Sequence, residues 1–338
     1  MGSIPTIDFQ AWFGQDEDAK AQLIEQLRSA CETHGFFALI NHGIPQSLLD
    51  SMLEQSADFF SLPIEKKEQY NKDLGGYNRG YERLRAQNFE KRTDGDLKEG
   101  YYLGIDLPES HPAVVSKKFN LGPNKYPDAV SDPTKFKEII DSYTDSAIKL
   151  AENLVRALCR TLDITDDWVS GFVDVPIAVL RLLHYPPQAP DASELERGIG
   201  AHTDFGAVTI LLQDMIGGLQ VWDRADNRWA DVTPQRGALV VNLGNLMMRW
   251  TNDRYISNLH RVINKSGKER YSIPFFFSGN PDFLVECFSK CLGQNAVAKY
   301  PSVTVGEWIS GRYADTYGTS KEKAVGELSV AEANAGIV

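Results

Sequence analysis

No apolar run in the sequence approaches the ~20 residues needed to cross a bilayer. The start, Met1-Gly2-Ser3-Ile4-Pro5, has neither a basic segment nor the apolar stretch of a secretion signal. Cysteine is scarce: Cys31, Cys159, Cys287 and Cys291 are the four in the chain, with no CxxC pair, which argues against a disulfide framework or a structural zinc site. Positive charge is short as well. Lys+Arg total 35 against 46 Asp+Glu, a net charge of −11, so a nucleic-acid partner has little electrostatic support. There is no GxxxxGK[ST] loop, no GxSxG elbow and no HExxH, and Gly198-Ile199-Gly200 begins a GxG without its third glycine. Nucleotide-dependent and hydrolytic chemistries therefore lack their anchors. The expectation is a cytoplasmic globular protein, monomeric or weakly self-associating, that binds a small molecule and neither nucleic acid nor membrane.

At ~150 residues per domain, 338 residues make one large domain or two small ones. No repeat or Pro/Gly/Ser linker divides them. We expect a helix-rich region over 1–165, a β core over 166–318, and a tail or lid over 319–338. In the first region Leu23, Ile24, Leu27 and Ala30 recur at helical spacing, an apolar strand follows over 36–40, and a second helix begins after Pro45. Asp132-Pro133 places a cap and a first-turn proline before a helix of roughly 30 residues. Its stripe (Phe136, Ile140, Tyr143, Ala147, Leu150, Leu154, Leu158) marks a buried scaffold. From about residue 177 short β-rich runs follow one another at 178–184, 207–213, 218–222, 237–242, 257–263 and 270–277, broken by turn signals such as Gly217-Gly218 and Ser266-Gly267. Such strands suggest a sandwich or barrel closed over a small-molecule cavity.

Six histidines allow a census. His34 and His42 flank the strand 36–40 and suit hydrogen-bonding roles; His111 lies in a Pro-rich stretch expected at the surface. His202-Thr203-Asp204 is the informative triplet, because residues i and i+2 of an extended chain point to one side. With His260 on another strand, two imidazoles and one carboxylate can occupy one face of a metal, the facial triad of non-haem Fe(II) chemistry. Alone, the triplet is a weak signal, better met by a plain His–Asp hydrogen bond. Beyond His260, a turn over 264–267 is expected to form a hairpin that folds Arg270 and Ser272 back beside it. An Arg within an apolar strand needs an anion. An internal Asp or Glu is one answer; beside a metal, the carboxylate of a bound dicarboxylate is the better one.

Taken together, these segments resemble the isopenicillin-N-synthase-like group of Fe(II)/2-oxoglutarate-dependent dioxygenases, above all its fungal small-molecule members. The resemblance spans nearly the whole chain. It rests on Ile4-Pro5-Thr6-Ile7-Asp8-Phe9, on His34-Gly35-Phe36-Phe37 through Asn41-His42-Gly43-Ile44-Pro45, and on Leu180-Arg181-Leu182-Leu183-His184-Tyr185-Pro186-Pro187. Ala201-His202-Thr203-Asp204-Phe205-Gly206, Asn258-Leu259-His260-Arg261-Val262 and Arg270-Tyr271-Ser272 complete it. It implies an α+β fold with a double-stranded β-helix (jelly-roll) core, an N-terminal helical layer and the long scaffold helix. It also implies Fe(II), 2-oxoglutarate and O2. By position His202, Asp204 and His260 match the iron ligands, Arg270 and Ser272 the pair that holds the distal carboxylate of 2-oxoglutarate, and Tyr185 an aromatic that assists them. Two positions depart from the pattern: Leu183 stands where plant relatives often carry Asn, and Gly244-Asn245 where Gly-Asp is common.

The implied activity is oxidation of a small organic molecule by hydroxylation, desaturation or oxidative cyclisation, in natural-product biosynthesis. An isopenicillin N synthase-type oxidase that does without 2-oxoglutarate, and a pyrimidine-methyl hydroxylase, are the alternatives; a jelly-roll binding module without chemistry is a third. For the substrate pocket the expectation names Tyr77, Arg79, Tyr102, Phe276 and Tyr317. Tyr77, Arg79, Arg83 and Arg85 would form a cationic-aromatic cluster for an acidic substrate, against the plainer reading of a solvated loop.

Overall fold

Strict alternation of side chains along two central strands decides where the interior lies. A computed structural model describes residues 4–87, 95–188, 197–293 and 297–317. Twelve of its strands build two facing sheets. The major sheet runs in the order β1 (Thr6–Asp8), β2 (Phe36–Ile40), β10 (Leu239–Leu243), β7 (Val208–Gln213), β12 (Arg270–Gly279), β5 (Ile177–Tyr185), β4 (Glu99–Gly104) and β3 (Gly80–Glu82). The minor sheet is β6 (Ile199–His202), β11 (His260–Val262), β8 (Leu219–Asp223) and β9 (Arg228–Asp231). All pairings are antiparallel except β1 with β2. Facing sheets of this kind form a double-stranded β-helix.

Along β5, Ala178, Leu180 and Leu182 turn outward to the helices, while Ile177, Val179, Arg181, Leu183 and Tyr185 turn inward between the sheets. In β12, Ile273, Phe275 and Phe277 turn outward and Arg270, Ser272, Pro274, Phe276 and Ser278 inward. The outer face is covered by the helices Glu17–Thr33, Gln46–Phe60 and Pro133–Thr161. The last of these starts where expected: the Asp132 carboxylate accepts the Lys135 N–H at 3.0 Å, with Pro133 in the first turn. Its stripe from Phe136 to Leu158 is buried, each large side chain contributing about 1.5–3 kcal/mol.

The N-terminal region is not only a helical layer. Its four strands flank the four C-terminal strands of the major sheet, β1 and β2 on one side and β4 and β3 on the other. Tyr102 of β4 pairs with Arg181 of β5, and Leu39 of β2 with Leu239 of β10. Strands β3, β4 and β9 gave no clear period in the sequence because they are short or buried throughout, as the fully buried β4 shows.

One expectation needs correction. Residues 263–269 do not close a hairpin. Strand β11 pairs with β6 and β8, whereas β12 pairs with β5 and β7, so the chain crosses here from one sheet to the other. Asn264 holds the crossing: its side-chain amide donates to the carbonyls of Tyr185, Pro186 and Lys268 at 3.2, 3.2 and 2.8 Å. A turn signal marks a reversal of the chain but not the partner of the next strand. His111, expected at the surface, is half-buried and accepts the Ala113 N–H at 3.2 Å.

Candidate active site

A cavity of about 90 Å³ lies between the sheets, room for several waters. His202 closes β6, Asp204 follows two residues later, and His260 opens β11 directly opposite His202. The donor atoms of the three side chains all lie within 4.8 Å of one another. Asp204 Oδ1 is 3.8 Å from His202 Nε2 and 3.7 Å from His260 Nε2, too far for a direct hydrogen bond. The alternative of a simple His–Asp bond is thereby removed.

The surrounding protein engages the far side of all three. His202 Nδ1 donates to Gly200 O at 2.8 Å and His260 Nδ1 to Asn258 O at 3.3 Å. A carbonyl accepts only from N–H, so both rings carry a proton on Nδ1 and turn Nε2 toward Asp204. Asp204 Oδ2 accepts from Thr209 Oγ1 at 2.6 Å and Asn242 Nδ2 at 2.7 Å, leaving Oδ1 toward the histidines. Burial, together with the neighbouring His260, pushes the His202 imidazole down to about 3. Burial alone would raise the Asp204 carboxyl, but the two imidazoles, Asn242 and Thr209 outweigh it and hold the group below its ordinary range. A carboxylate and two imidazoles are the donor set that a divalent metal of intermediate hardness takes.

Gly244 lets this loop close. A Cβ there would stand 2.2 Å from Gly206 O and 3.0 Å from Asp204 O. The next residue, Asn245, donates its backbone N–H to Asp204 O at 2.8 Å. Its side chain donates to Ser257 at 3.1 Å and Thr203 at 3.3 Å, so the Asn that departs from the common Gly-Asp still ties down the loop that carries Asp204.

On the facing wall stand Arg270, Ser272 and Tyr185. Arg270 is fully buried and pairs in register with Tyr185, whose ring lies 4.7 Å under its guanidinium. Its Nε donates to Gly217 O at 2.5 Å and its Nη2 to Gln213 Oε1 at 3.1 Å. Nη1 is buried with no hydrogen-bond partner among the described residues. The Gly217 carbonyl is aimed by a turn in which Gly217 and Gly218 both take positive φ, 86° and 93°; a Cβ on Gly218 would lie 2.5 Å from Ile263 O. Ser272 Oγ bonds Tyr185 OH at 3.3 Å. Burial raises the Tyr185 phenol, with Arg270 opposing, so it stays a neutral donor. The internal Asp or Glu partner for Arg270 is absent among the described residues; its partners are neutral oxygens. A buried guanidinium with one edge unsatisfied, beside a hydroxyl and a phenol, fits a carboxylate. Both sets of residues thus fit the groups implied for them, a divalent iron and a dicarboxylate.

The structure brings together His202, Asp204, His260, Arg270, Ser272, Tyr185 and Phe276 around one cavity. It does not bring Tyr77 or Arg79 there. Arg79 is fully buried and donates to Asn124 Oδ1, Tyr77 O, Asn120 Oδ1 and Asn120 O; it braces a loop and is no part of a surface cluster. Arg83 is exposed and pairs with Glu68. Tyr102 stands behind the cavity wall, its hydroxyl on Glu82 at 2.8 Å and its ring against Arg181. Tyr317 ends the helix Val305–Tyr317, and Tyr313, one turn earlier, lines the cavity. The tail from Thr319 lies outside the described residues. Two contributions were missed. Arg181 lines the cavity, and alternation from Tyr185 through Leu183 was the signal for it; nothing in the spacing pointed to Asn242.

Comparison with known proteins agrees with this geometry. Residues 4–129 match the model of the non-haem dioxygenase N-terminal region (described for morphine synthesis), and residues 176–279 that of the 2OG-Fe(II) oxygenase superfamily. The 2-oxoglutarate-Fe(II) type oxidoreductase hxnY of Emericella nidulans is 46% identical over 94% of this chain and 91% of its own. The 2-oxoglutarate-dependent dioxygenase citB of Monascus ruber is 37% identical over 93% and 95%. Among solved structures, a full-length Neurospora crassa protein in complex with alpha-KG superposes with a TM-score of 0.82 at 30% identity, over 92% of this chain and 95% of that one.

Proposed function

The chain belongs to the 2-oxoglutarate–Fe(II) oxygenase superfamily, and we propose that His202, Asp204 and His260 hold its iron while Arg270, Ser272 and Tyr185 hold 2-oxoglutarate. The protein is an oxidoreductase that uses Fe(II), 2-oxoglutarate and O2. Together these supply the oxidation of a C–H bond, balanced for hydroxylation as RH + 2-oxoglutarate + O2 → ROH + succinate + CO2; desaturation and oxidative ring closure are the other outcomes of the same chemistry. The convergence of three donor atoms, each on a side chain oriented from behind by the protein, carries this assignment.

The chain's own contribution is placement. Gly200 O and Asn258 O orient the imidazoles, and Thr209 and Asn242 fix the carboxylate, so little reorganisation is needed when the metal enters. Arg270 and Ser272 set the co-substrate in register from the opposite sheet. Phe36, Leu183 and Phe276 give the cavity apolar walls that exclude water from a reactive centre.

A small organic substrate is supported by the enclosed cavity, and the net charge of −11 disfavours nucleic acid. The fungal relatives support a place in natural-product biosynthesis. Four free cysteines support a cytoplasmic location. The test is anaerobic Mn(II) titration followed by spin resonance, and then oxygen-dependent conversion of 2-oxoglutarate to succinate with Fe(II). One metal equivalent is expected, lost in His202→Ala and Asp204→Ala, with succinate formed only by the metal-competent protein. Oxygen consumption without any requirement for 2-oxoglutarate would instead establish the synthase-type oxidase.

A further inference from the structure

We propose that the end of the cavity away from Arg270 is built to take the carboxylate of an acidic substrate on Arg181, making small unsaturated carboxylic acids the substrate class. This deepens the function proposed above and rests on it.

Arg181 is four residues from Tyr185 on the same strand and on the same face, a separation of about 13 Å along an extended chain. One small carboxylate held at Arg270 and Tyr185 therefore does not also serve Arg181. The Arg181 guanidinium is buried, 4.3 Å from the Tyr102 ring centre and 5.0 Å from that of Phe276. Two aromatic faces fix its plane, and Tyr313 OH accepts from its Nη2 at 3.3 Å. A planar cation held in this way is arranged for directional recognition of an anion.

The charge behind the wall points the same way. Glu82, 1% exposed, is met by Lys72 Nζ at 2.6 Å, Lys98 Nζ at 3.4 Å and Tyr102 OH at 2.8 Å. That carboxylate is shared among two ammonium groups and the Arg181 guanidinium itself, all of which hold it low, so Glu82 neutralises Arg181 only in part and the wall keeps a positive field. In a low-dielectric interior such a field favours an anion entering from the open side. Val179, Phe205, Pro274, Phe276 and Ile309 line the space beside Arg181, apolar and partly aromatic surroundings for a flat hydrocarbon body.

The experiment uses the full chain loaded anaerobically with Mn(II) and saturating 2-oxoglutarate, whose own binding is measured first. Benzoate, phenylacetate and cinnamate, with the matching amides, are then titrated by calorimetry. We expect at least one acid to bind alongside 2-oxoglutarate and its amide to bind about tenfold more weakly or worse. Arg181→Gln should bring the acid down to the level of its amide. Arg181→Lys, which keeps the charge between the two rings, should retain a reduced preference and serves if the Gln variant does not fold. Acids and amides that bind alike, acids that bind only by displacing 2-oxoglutarate, no binding by any acid, or a preference that survives in Arg181→Gln would each overturn the proposal while leaving the iron and 2-oxoglutarate assignments standing. Failure of 2-oxoglutarate to bind the loaded wild type would overturn both.

Discussion

At Asp204 one oxygen is committed to Thr209 and Asn242 and the other faces the two imidazoles. Asn242 and Thr209 make that division, so replacing Asn242 by Leu should free the carboxylate to rotate and to pair with an imidazole. Loss of a hydrogen bond behind a metal ligand typically costs about 10–100-fold in affinity, and Mn(II) titration of Asn242→Leu should show a loss of that size; wild-type affinity would show that the bond does not orient the ligand. The convergence of His202, Asp204 and His260 was legible because two are neighbours of period two and the third lies on a recognisable strand. Asn242 was not, since its amide reaches Asp204 across 38 residues of sequence. Arg79 misled for a related reason: its position among Gly and Tyr suggested an exposed loop, but Asn120 and Asn124, more than 40 residues on, bury it.

Among the elements, β5 links the site to a second polar cluster on its edge. His184 Nδ1 meets Glu99 Oε1 of β4 at 2.8 Å, its Nε2 meets the carboxylate of Glu269, and Lys67 Nζ lies 2.8 Å from Glu99. Burial opposes the charge on His184, yet the two carboxylates prevail and raise its value above the ordinary 6.5. The folded-state value being raised, the stabilisation is complete below that ordinary value and disappears as pH climbs through the native one. Urea unfolding of His184→Gln should therefore show a larger loss relative to wild type near about pH 6 than near about pH 9. Equal losses at both would mean that the imidazole is neutral in the fold. The strands themselves were legible where they alternate. Which strand pairs with which was not, and the crossing at Asn264 shows why: the order of strands in a jelly roll is set by burial across two sheets, which a local turn signal does not encode.

For the whole molecule, metal and 2-oxoglutarate should act as stabilising ligands of the native state. At a free concentration one hundred times the dissociation constant, one site adds about 2.7 kcal/mol to unfolding. Thermal unfolding should move upward with Mn(II), again with 2-oxoglutarate, and the second increment alone should vanish in Arg270→Leu. No second increment in the wild type would remove 2-oxoglutarate from this cavity. The architecture was largely legible, because periodicity changes near residue 177 and the long helix announces itself at Asp132-Pro133. The choice between one domain and two was not open to composition, since it turns on hydrogen bonds between strands more than a hundred residues apart.

That arrangement, two N-terminal strands on either flank of four C-terminal ones, bears on how such proteins exchange parts. A recombinant joining the first 129 residues of one relative to the remainder of another would graft foreign edges onto both sides of the sheet that carries Arg181 and Arg270. Substrate preference in such hybrids should follow neither parent, because Tyr102 comes from one and the guanidinium it backs from the other. With Arg181 as the proposed substrate contact, the seam between β4 and β5 would be the unit of specificity, and crossovers that keep both strands from one parent should carry its substrate preference with them.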